Sequence, residues 1–124
     1  MRQFNRADRI RAQMLRDVRS LLDQECANEL GVMVTFTDVE VSKDLKYATI
    51  FYSVLGNDEK KKQVSKYLGG IKGRTRGQLG KIMRIKYFPE IKFEFDPSIE
   101  RGARIEELLQ EISKKGNNNS DGNL

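Results

Sequence analysis

The sequence predicts an α+β fold with a small three-stranded mixed sheet and helices on one face of the sheet. Three observations predict this class. Apolar residues recur at helical spacing in several segments, and alternating β-branched and aromatic residues form three other segments. A glycine-marked helical region separates the second and third of these strands. Because such crossover connections join parallel strands, we expect a mixed sheet.

The first element is an amphipathic helix from residue 6 to about residue 26. Its apolar stripe comprises Ile10, Met14, Leu15, Val18, Leu21 and Leu22. Arginines crowd the start of this helix, where they oppose the macrodipole, so Arg6 and Arg9 suggest phosphate contact, with simple solubility as the alternative. Gly31 can adopt a positive φ and is expected to end the helix.

An antiparallel hairpin follows, with strands at 32–41 and 47–55 and a turn at 42–46. The alternation of the first strand changes phase after Phe36, which predicts a bulge near Asp38. The second strand directs Ala48, Ile50, Tyr52 and Val54 to one face. We expect the hairpin aromatics, including Tyr47, Phe51 and Tyr52, to pack in the core or on the sheet rather than stack on bases.

A helix then begins near Asp58, is interrupted by glycines and resumes beyond Gly73. Its apolar positions are Val64, Tyr67, Leu68 and Ile71 before the interruption and Leu79, Ile82 and Met83 after it. At about 100° per residue, Arg74, Gly77, Lys81 and Arg84 fall within about 80° of one another on the opposite side. The sequence therefore predicts two helices with a glycine break between them and a basic outward stripe.

The last strand, 90–96, begins after Pro89 and directs Ile91, Phe93 and Phe95 inward. A short amphipathic helix is expected at about 101–113, with Ile105, Leu108, Leu109 and Ile112 on its apolar side. The domain thus covers 1–113. Residues 114–124 have no apolar anchor before the final Leu124 and are expected to be a disordered tail.

Composition excludes several functional classes. The chain has 124 residues, 38% hydrophobic and 33% charged, which suits one soluble domain. No run approaches the roughly 18 apolar residues of a membrane span, and the charged N-terminus does not resemble an export signal, so a cytosolic protein is expected. With no histidine and one cysteine, Cys26, the sequence offers no zinc site. The carboxylate pairs Glu106–Glu107 and Asp38–Glu40 suit exposed faces, and no cofactor or catalytic site is predicted.

The charge is concentrated in residues 60–86. This segment contains ten Lys or Arg, no Asp or Glu and five of the ten glycines, whereas residues 24–59 contain two Lys and seven acids. Such a concentrated positive field favours a polyanion, because neutralised phosphates release counterions. A solvated basic surface is the alternative.

The predicted order of elements is that of a KH domain, whose GxxG loop lies on the nucleic-acid backbone. Residues 70–73, Gly-Ile-Lys-Gly, fit GxxG. The match is weak by itself, because five glycines fall within residues 69–80 and 77–80 fits as well.

Longer stretches are more specific than the glycine pattern. They are DVEVSKDLKYATIFYSVLG (38–56), RGQLGKIMRIKYFPEIKFEFDPSIERGARIEELL (76–109) and the pattern of Arg6, Arg9 and Ile10. In these stretches the chain resembles the bacterial ribosome-binding factor A family. The resemblance covers nearly the whole chain except the tail. It implies a type II KH-like fold, a kink between the two helices, and a factor that binds the immature small ribosomal subunit and assists processing of its RNA. The kink falls at Ile71, Lys72 and Gly73, where Ile71 replaces the alanine of most members.

The sequence hypothesis is therefore a monomeric, non-enzymatic ribosome assembly factor whose partners are the small subunit and its RNA, with no membrane or small-molecule ligand. The expected phosphate contacts are Lys72, Arg74, Arg76, Lys81, Arg84, Arg6 and Arg9. A general KH-like module for single-stranded nucleic acid is the first alternative. A protein adaptor using the acidic hairpin and C-terminal helix is the second, and an RNA-processing enzyme is the least favoured.

Overall fold

The computed structural model describes residues 6–98. The elements, in chain order, are α1 (Arg6–Leu30), β1 (Val34–Val41), β2 (Tyr47–Val54), α2 (Asp58–Met83) and β3 (Glu90–Phe95). This arrangement confirms the α+β class. The predicted helix at 101–113 and the predicted tail at 114–124 lie outside the described residues. Within the described part, neither helix has the length and apolar character needed to cross a membrane.

The sheet has the order β1-β2-β3. Strands β1 and β2 are antiparallel, with a register shift between Phe36 and Asp38 that confirms the predicted bulge. Strands β2 and β3 are parallel, from the pair Tyr47–Glu90 to the pair Tyr52–Phe95, as the crossover through α2 requires. The sheet is therefore mixed, with β1 and β3 at its edges.

Both helices bury their apolar stripes against one face of the sheet. Helix α1 contributes Met14, Val18, Leu22 and Cys26, and α2 contributes Val64, Leu68, Thr75, Leu79 and Met83. The strands supply Val34, Phe36, Val39, Ala48, Ile50, Tyr52, Val54 and Ile91, which share the core with these helical residues. Phe93 is partly buried, and its ring lies 6.1 Å from that of Phe36. This single core fixes both helices relative to the sheet.

Helix α2 corrects the prediction of an interrupted helix. The structure has one continuous helix of 26 residues, so Ile71, Lys72 and Gly73 lie within it and form no break. In the described residues only Gly31 combines glycine with a positive φ, at 63°. The reason lies at Thr75, which is fully buried and continues the buried stripe across the glycines. Packing of this unbroken stripe outweighs the roughly 1 kcal/mol that each helical glycine costs.

The ends of α2 have defined caps. The Asn57 side chain accepts a hydrogen bond from the Lys60 amide, and Asp58 and Glu59 lie in the first turn, where they suit the helix dipole. At the other end Arg84 adopts a left-handed conformation with φ 56°, and its amide bonds to the Gly80 carbonyl. The chain then turns toward β3, placing the 84–89 loop at the end of the sheet where β2 begins.

Candidate nucleic-acid interface

The outer face of α2 is the side turned away from the core, and we define it by Lys66, Gly70, Gly73, Gly77, Lys81 and Arg84. These six residues fall within about 80° of one another around the helix axis, and all are exposed. A Cβ atom placed on any of the three glycines would meet nothing within 4 Å. The helix backbone is therefore bare between Lys66 and Lys81, so a ligand can approach it closely.

The cations of the outer face are not used within the fold. The side chains of Lys66, Lys81 and Arg84 have no hydrogen-bond or ion-pair partner among residues 6–98. Three unneutralised charges thus flank a surface without side chains. This combination suits a polyanion whose backbone lies along the helix.

Arg74 was predicted to contact phosphate, but the structure places its guanidinium on the Glu25 carboxylate of α1. Arg74 donates two hydrogen bonds to this carboxylate, and the Tyr67 hydroxyl donates a third. These contacts, that of Arg74 foremost, lower the pKa of Glu25 from its ordinary value. Arg74 therefore links α1 to α2, at the margin of the outer face.

Arg76 also serves the fold. Its guanidinium donates to the carbonyl of Pro89 at 2.9 Å and to the carbonyl of Phe88 at 2.7 Å. It also lies 3.5 Å from the Glu90 carboxylate. Arg76 thus holds the loop before β3 against the C-terminal half of α2.

The remaining predicted residues lie elsewhere on the surface. Lys72 projects beside the sheet, where it lines a groove with Tyr47 and Ile91. Arg9 is exposed on α1, and Arg6 lies at the start of that helix. The structure therefore brings Lys81 and Arg84 together on the outer face and does not gather all seven predicted residues on one surface.

Sequence reasoning missed a second basic surface, at the end of the sheet. A cleft of about 540 Å³, here called the terminal cleft, is lined by Arg6, Asp44, Leu45, Lys46, Tyr47, Arg76, Tyr87, Phe88 and Glu90. Tyr52 is buried and Phe51 half-buried, as expected of packing residues. Tyr47, by contrast, is 62% exposed, and Tyr87 is 81% exposed. For Tyr47 the sequence did carry a signal, because Tyr47 precedes the inward Ala48 and so has the opposite strand phase.

The described residues also bear on covalent and metal chemistry. Among residues 6–98, no group of three or more His, Cys, Asp or Glu is placed to hold a metal ion. Burial, followed by the negative charges of Glu25 and Asp23, raises the pKa of the Cys26 thiol to about 11. At neutral pH this thiol is protonated and a poor nucleophile.

Comparisons with known proteins agree with this architecture. The family model for ribosome-binding factor A matches residues 6–109. The crystal structure of ribosome-binding factor A from Thermus thermophilus has 18% sequence identity and a TM-score of 0.61, covering 73% of this chain and 96% of that one. It shares the fold, which confirms the KH-like prediction. The solution structure of a putative ribosome binding factor A from Thermotoga maritima has 34% identity and a TM-score of 0.53, covering 74% of this chain and 91% of that one. This chain therefore belongs to the ribosome-binding factor A family.

Proposed function

We propose that this protein binds the immature small ribosomal subunit and assists maturation of its ribosomal RNA. Family membership supports a ribosomal partner. The observation that carries the proposal is the outer face of α2, where bare helix backbone lies between cations that the fold does not use. That surface suits the phosphodiester backbone of RNA better than it suits a folded protein partner.

On this proposal the outer face binds RNA in two ways. Lys66, Lys81 and Arg84 neutralise phosphates and release counterions, which gives affinity without sequence preference. Gly70, Gly73 and Gly77 allow the sugar-phosphate backbone to approach the helix, because a side chain at these positions would hold it several ångströms away. The cations supply affinity, and the glycines set how closely the RNA lies.

The seven residues predicted from the sequence then divide by role. Lys81 and Arg84 contact phosphates on the outer face. Lys72, Arg6 and Arg9 extend the positive field along the sheet and the start of α1. Arg74 and Arg76 hold the helices and the loop in place and are positioning residues.

The proposed action is binding in the bacterial cytoplasm by a monomer, without a cofactor or a chemical step of its own. In this account residues 1–113 form the RNA-binding domain. The protein assists maturation by binding the RNA in a particular conformation. Other factors perform the cleavage.

Charge reversal tests this function. In gradient sedimentation of a bacterial lysate, the wild-type protein is expected to travel with small subunits and to be nearly absent from joined ribosomes. The K81E/R84E variant should bind immature subunits more than tenfold more weakly, because two phosphate contacts are lost. The control is R16E/K92E, which reverses two exposed cations away from the outer face, of which Lys92 lies 3.4 Å from the Glu94 carboxylate.

Two results would contradict the proposal. Equal weakening by K81E/R84E and R16E/K92E would show that only total charge matters. Wild-type protein remaining at the top of the gradient at low salt, while still binding naked single strands, would favour a general nucleic-acid-binding module.

A further inference from the structure

We infer that the terminal cleft is a second RNA site, which takes an unpaired nucleotide by stacking its base on Tyr87, with Tyr47 as the neighbouring aromatic surface. The inference rests on the proposed function, because it assumes an RNA partner. It concerns a different surface from the outer face of α2 and a different feature of the RNA.

The two tyrosines are exposed although they belong to a well-packed region. Tyr87 is 81% exposed, whereas the next residue, Phe88, is 8% exposed and part of the core. Tyr47 is 62% exposed, whereas the following Ala48 is 1% exposed. Both aromatic side chains thus line the same cleft, each next to a buried residue.

Tyr87 is also anchored for binding. Arg76 holds the carbonyls of Phe88 and Pro89, and the Lys86 ammonium lies 5.4 Å from the centre of the Tyr87 ring. Lys86 covers part of the ring, and the high exposure of Tyr87 leaves the remainder to solvent. Because the backbone next to the ring is already held by Arg76, less of the loop has to be ordered when a base stacks on Tyr87.

The charges of the cleft favour a phosphate beside that base. Arg6 and Lys46 line the cleft, and neither side chain makes a hydrogen bond or a close ion pair among residues 6–98, although the Lys46 charge contributes to lowering the pKa of Asp44. Its two carboxylates are already engaged. Asp44 accepts hydrogen bonds from the Ser42 hydroxyl and the Lys46 amide, which lower its pKa. Glu90 lies 3.5 Å from Arg76. Three cations, Arg6, Lys46 and Arg76, line the cleft against these two carboxylates, so its net charge is positive.

An unpaired nucleotide fits these features better than a duplex. A duplex offers phosphates but keeps its bases stacked on one another, whereas single-stranded loops and ends offer base faces to aromatic side chains. The volume of about 540 Å³ lies within the range of small-molecule sites, about 300 to 1,000 Å³, so one nucleotide can be accommodated.

Tryptophan substitution gives a direct test, because the chain has no Trp. In Y87W a single indole reports on the cleft. L55W is the matched control, since Leu55 is 77% exposed and follows the far end of β2. The probes are an eight-nucleotide single-stranded RNA and a duplex formed from the same strand. We expect the single strand to quench Y87W fluorescence and the duplex to leave it unchanged, with L55W unaffected by either.

Binding by the unlabelled protein completes the test. Y87A should bind the single strand about tenfold more weakly, since stacking on an aromatic side chain commonly contributes that much or more per base. Y87F should bind it as wild type does, and Y87A should keep wild-type duplex affinity and thermal stability. Equal quenching of Y87W by duplex and single strand, or wild-type single-strand binding by Y87A, would overturn the inference.

The outcomes separate this inference from the proposed function. If K81E/R84E loses subunit binding while Y87A binds the single strand as wild type does and Y87W fluorescence is not quenched by it, the outer face stands and the cleft site is wrong. If Y87A loses the single strand while K81E/R84E keeps subunit affinity, the cleft site stands and the outer-face assignment is wrong.

Discussion

The guanidinium of Arg74 on α2 binds the carboxylate of Glu25 on α1, and this ion pair joins the two helices beside buried Cys26. The Tyr67 hydroxyl shares the same carboxylate. Glu25 of α1 thus binds two residues of α2, Tyr67 and Arg74, which lie seven positions or about two helical turns apart. Glu25 lies outside the basic segment 60–86 and helps to hold that segment against α1.

Removing Arg74 should reduce stability more than RNA binding. R74Q leaves the Glu25 carboxylate without its cation, and we expect the free energy of unfolding to fall by about 1 kcal/mol, since the pair is partly exposed. Urea unfolding measures this. The comparison variant K81Q should retain stability to within about 0.5 kcal/mol but lose subunit affinity. The reverse pattern would contradict both assignments.

The Glu25 contacts also predict a pH dependence. Because Arg74 and Tyr67 bind the ionised carboxylate, the pKa of Glu25 in the folded protein lies below 4.5. A carboxyl with a lowered folded pKa contributes stability above its unfolded pKa and loses that contribution as the pH falls through the folded pKa. Wild type should therefore be more stable than E25Q at pH 7, and the difference should shrink below pH 4.5. A difference that stayed constant from pH 7 to about pH 3 would exclude this linkage.

Replacing Arg76 should lower the free energy of unfolding. R76M leaves the carbonyls of Phe88 and Pro89 without their donor, so we expect a loss of about 1 to 3 kcal/mol in unfolding free energy. R76K restores the charge but not the two-pronged donor geometry, and should recover only part of it. Full recovery by lysine would show that charge alone matters at this position.

The outer-face glycines should show opposite effects on stability and on binding. Because Gly73 and Gly77 are helical and open to solvent, G73A/G77A should raise the unfolding free energy by about 1 kcal/mol. The same change should weaken subunit binding if RNA lies on the helix backbone. G80A is the control, since its Cβ would contact Phe88 at 3.7 Å instead of facing the ligand. Unchanged binding by G73A/G77A would remove the close approach from the mechanism.

Cys26 should be inert in the native protein. Its thiol is fully buried, and its pKa is raised to about 11, so little thiolate is present at neutral pH. We expect a thiol-specific chromogenic reagent to react with it only after addition of denaturant. Rapid reaction under native conditions would mean that α1 opens locally at this point.

Local patterns predicted the strands well. The change of phase between Phe36 and Val39 correctly located the bulge, and the alternation around Ile50 identified the buried face of β2. The same approach failed in the middle of α2. Because Thr75 is polar, the sequence pattern does not extend the apolar stripe across it. The pattern therefore predicts a break in the helix at the glycines.

The site was harder to predict, because a basic residue in the sequence does not reveal its partner. Glu25 lies 49 residues before Arg74. The Arg76 guanidinium donates to backbone carbonyls, and the pattern of side chains in a sequence does not reveal such partners. Helical phase could place Lys81 and Arg84 outward, but only the tertiary structure separates them from the cations already used within the fold.

The continuity of α2 sets the distance between the cations near its two ends. Lys66 lies within this helix and Arg84 is its C-terminal cap, 18 residues later, which corresponds to on the order of 27 Å at 1.5 Å per residue. A loop or hinge between them would let the two basic ends move independently. If the outer face binds RNA as proposed, a continuous helix holds these two cations at a set separation and favours RNA surfaces whose phosphates have that spacing. Selection among RNA shapes can then arise from the rigidity of one helix, without contact to any base.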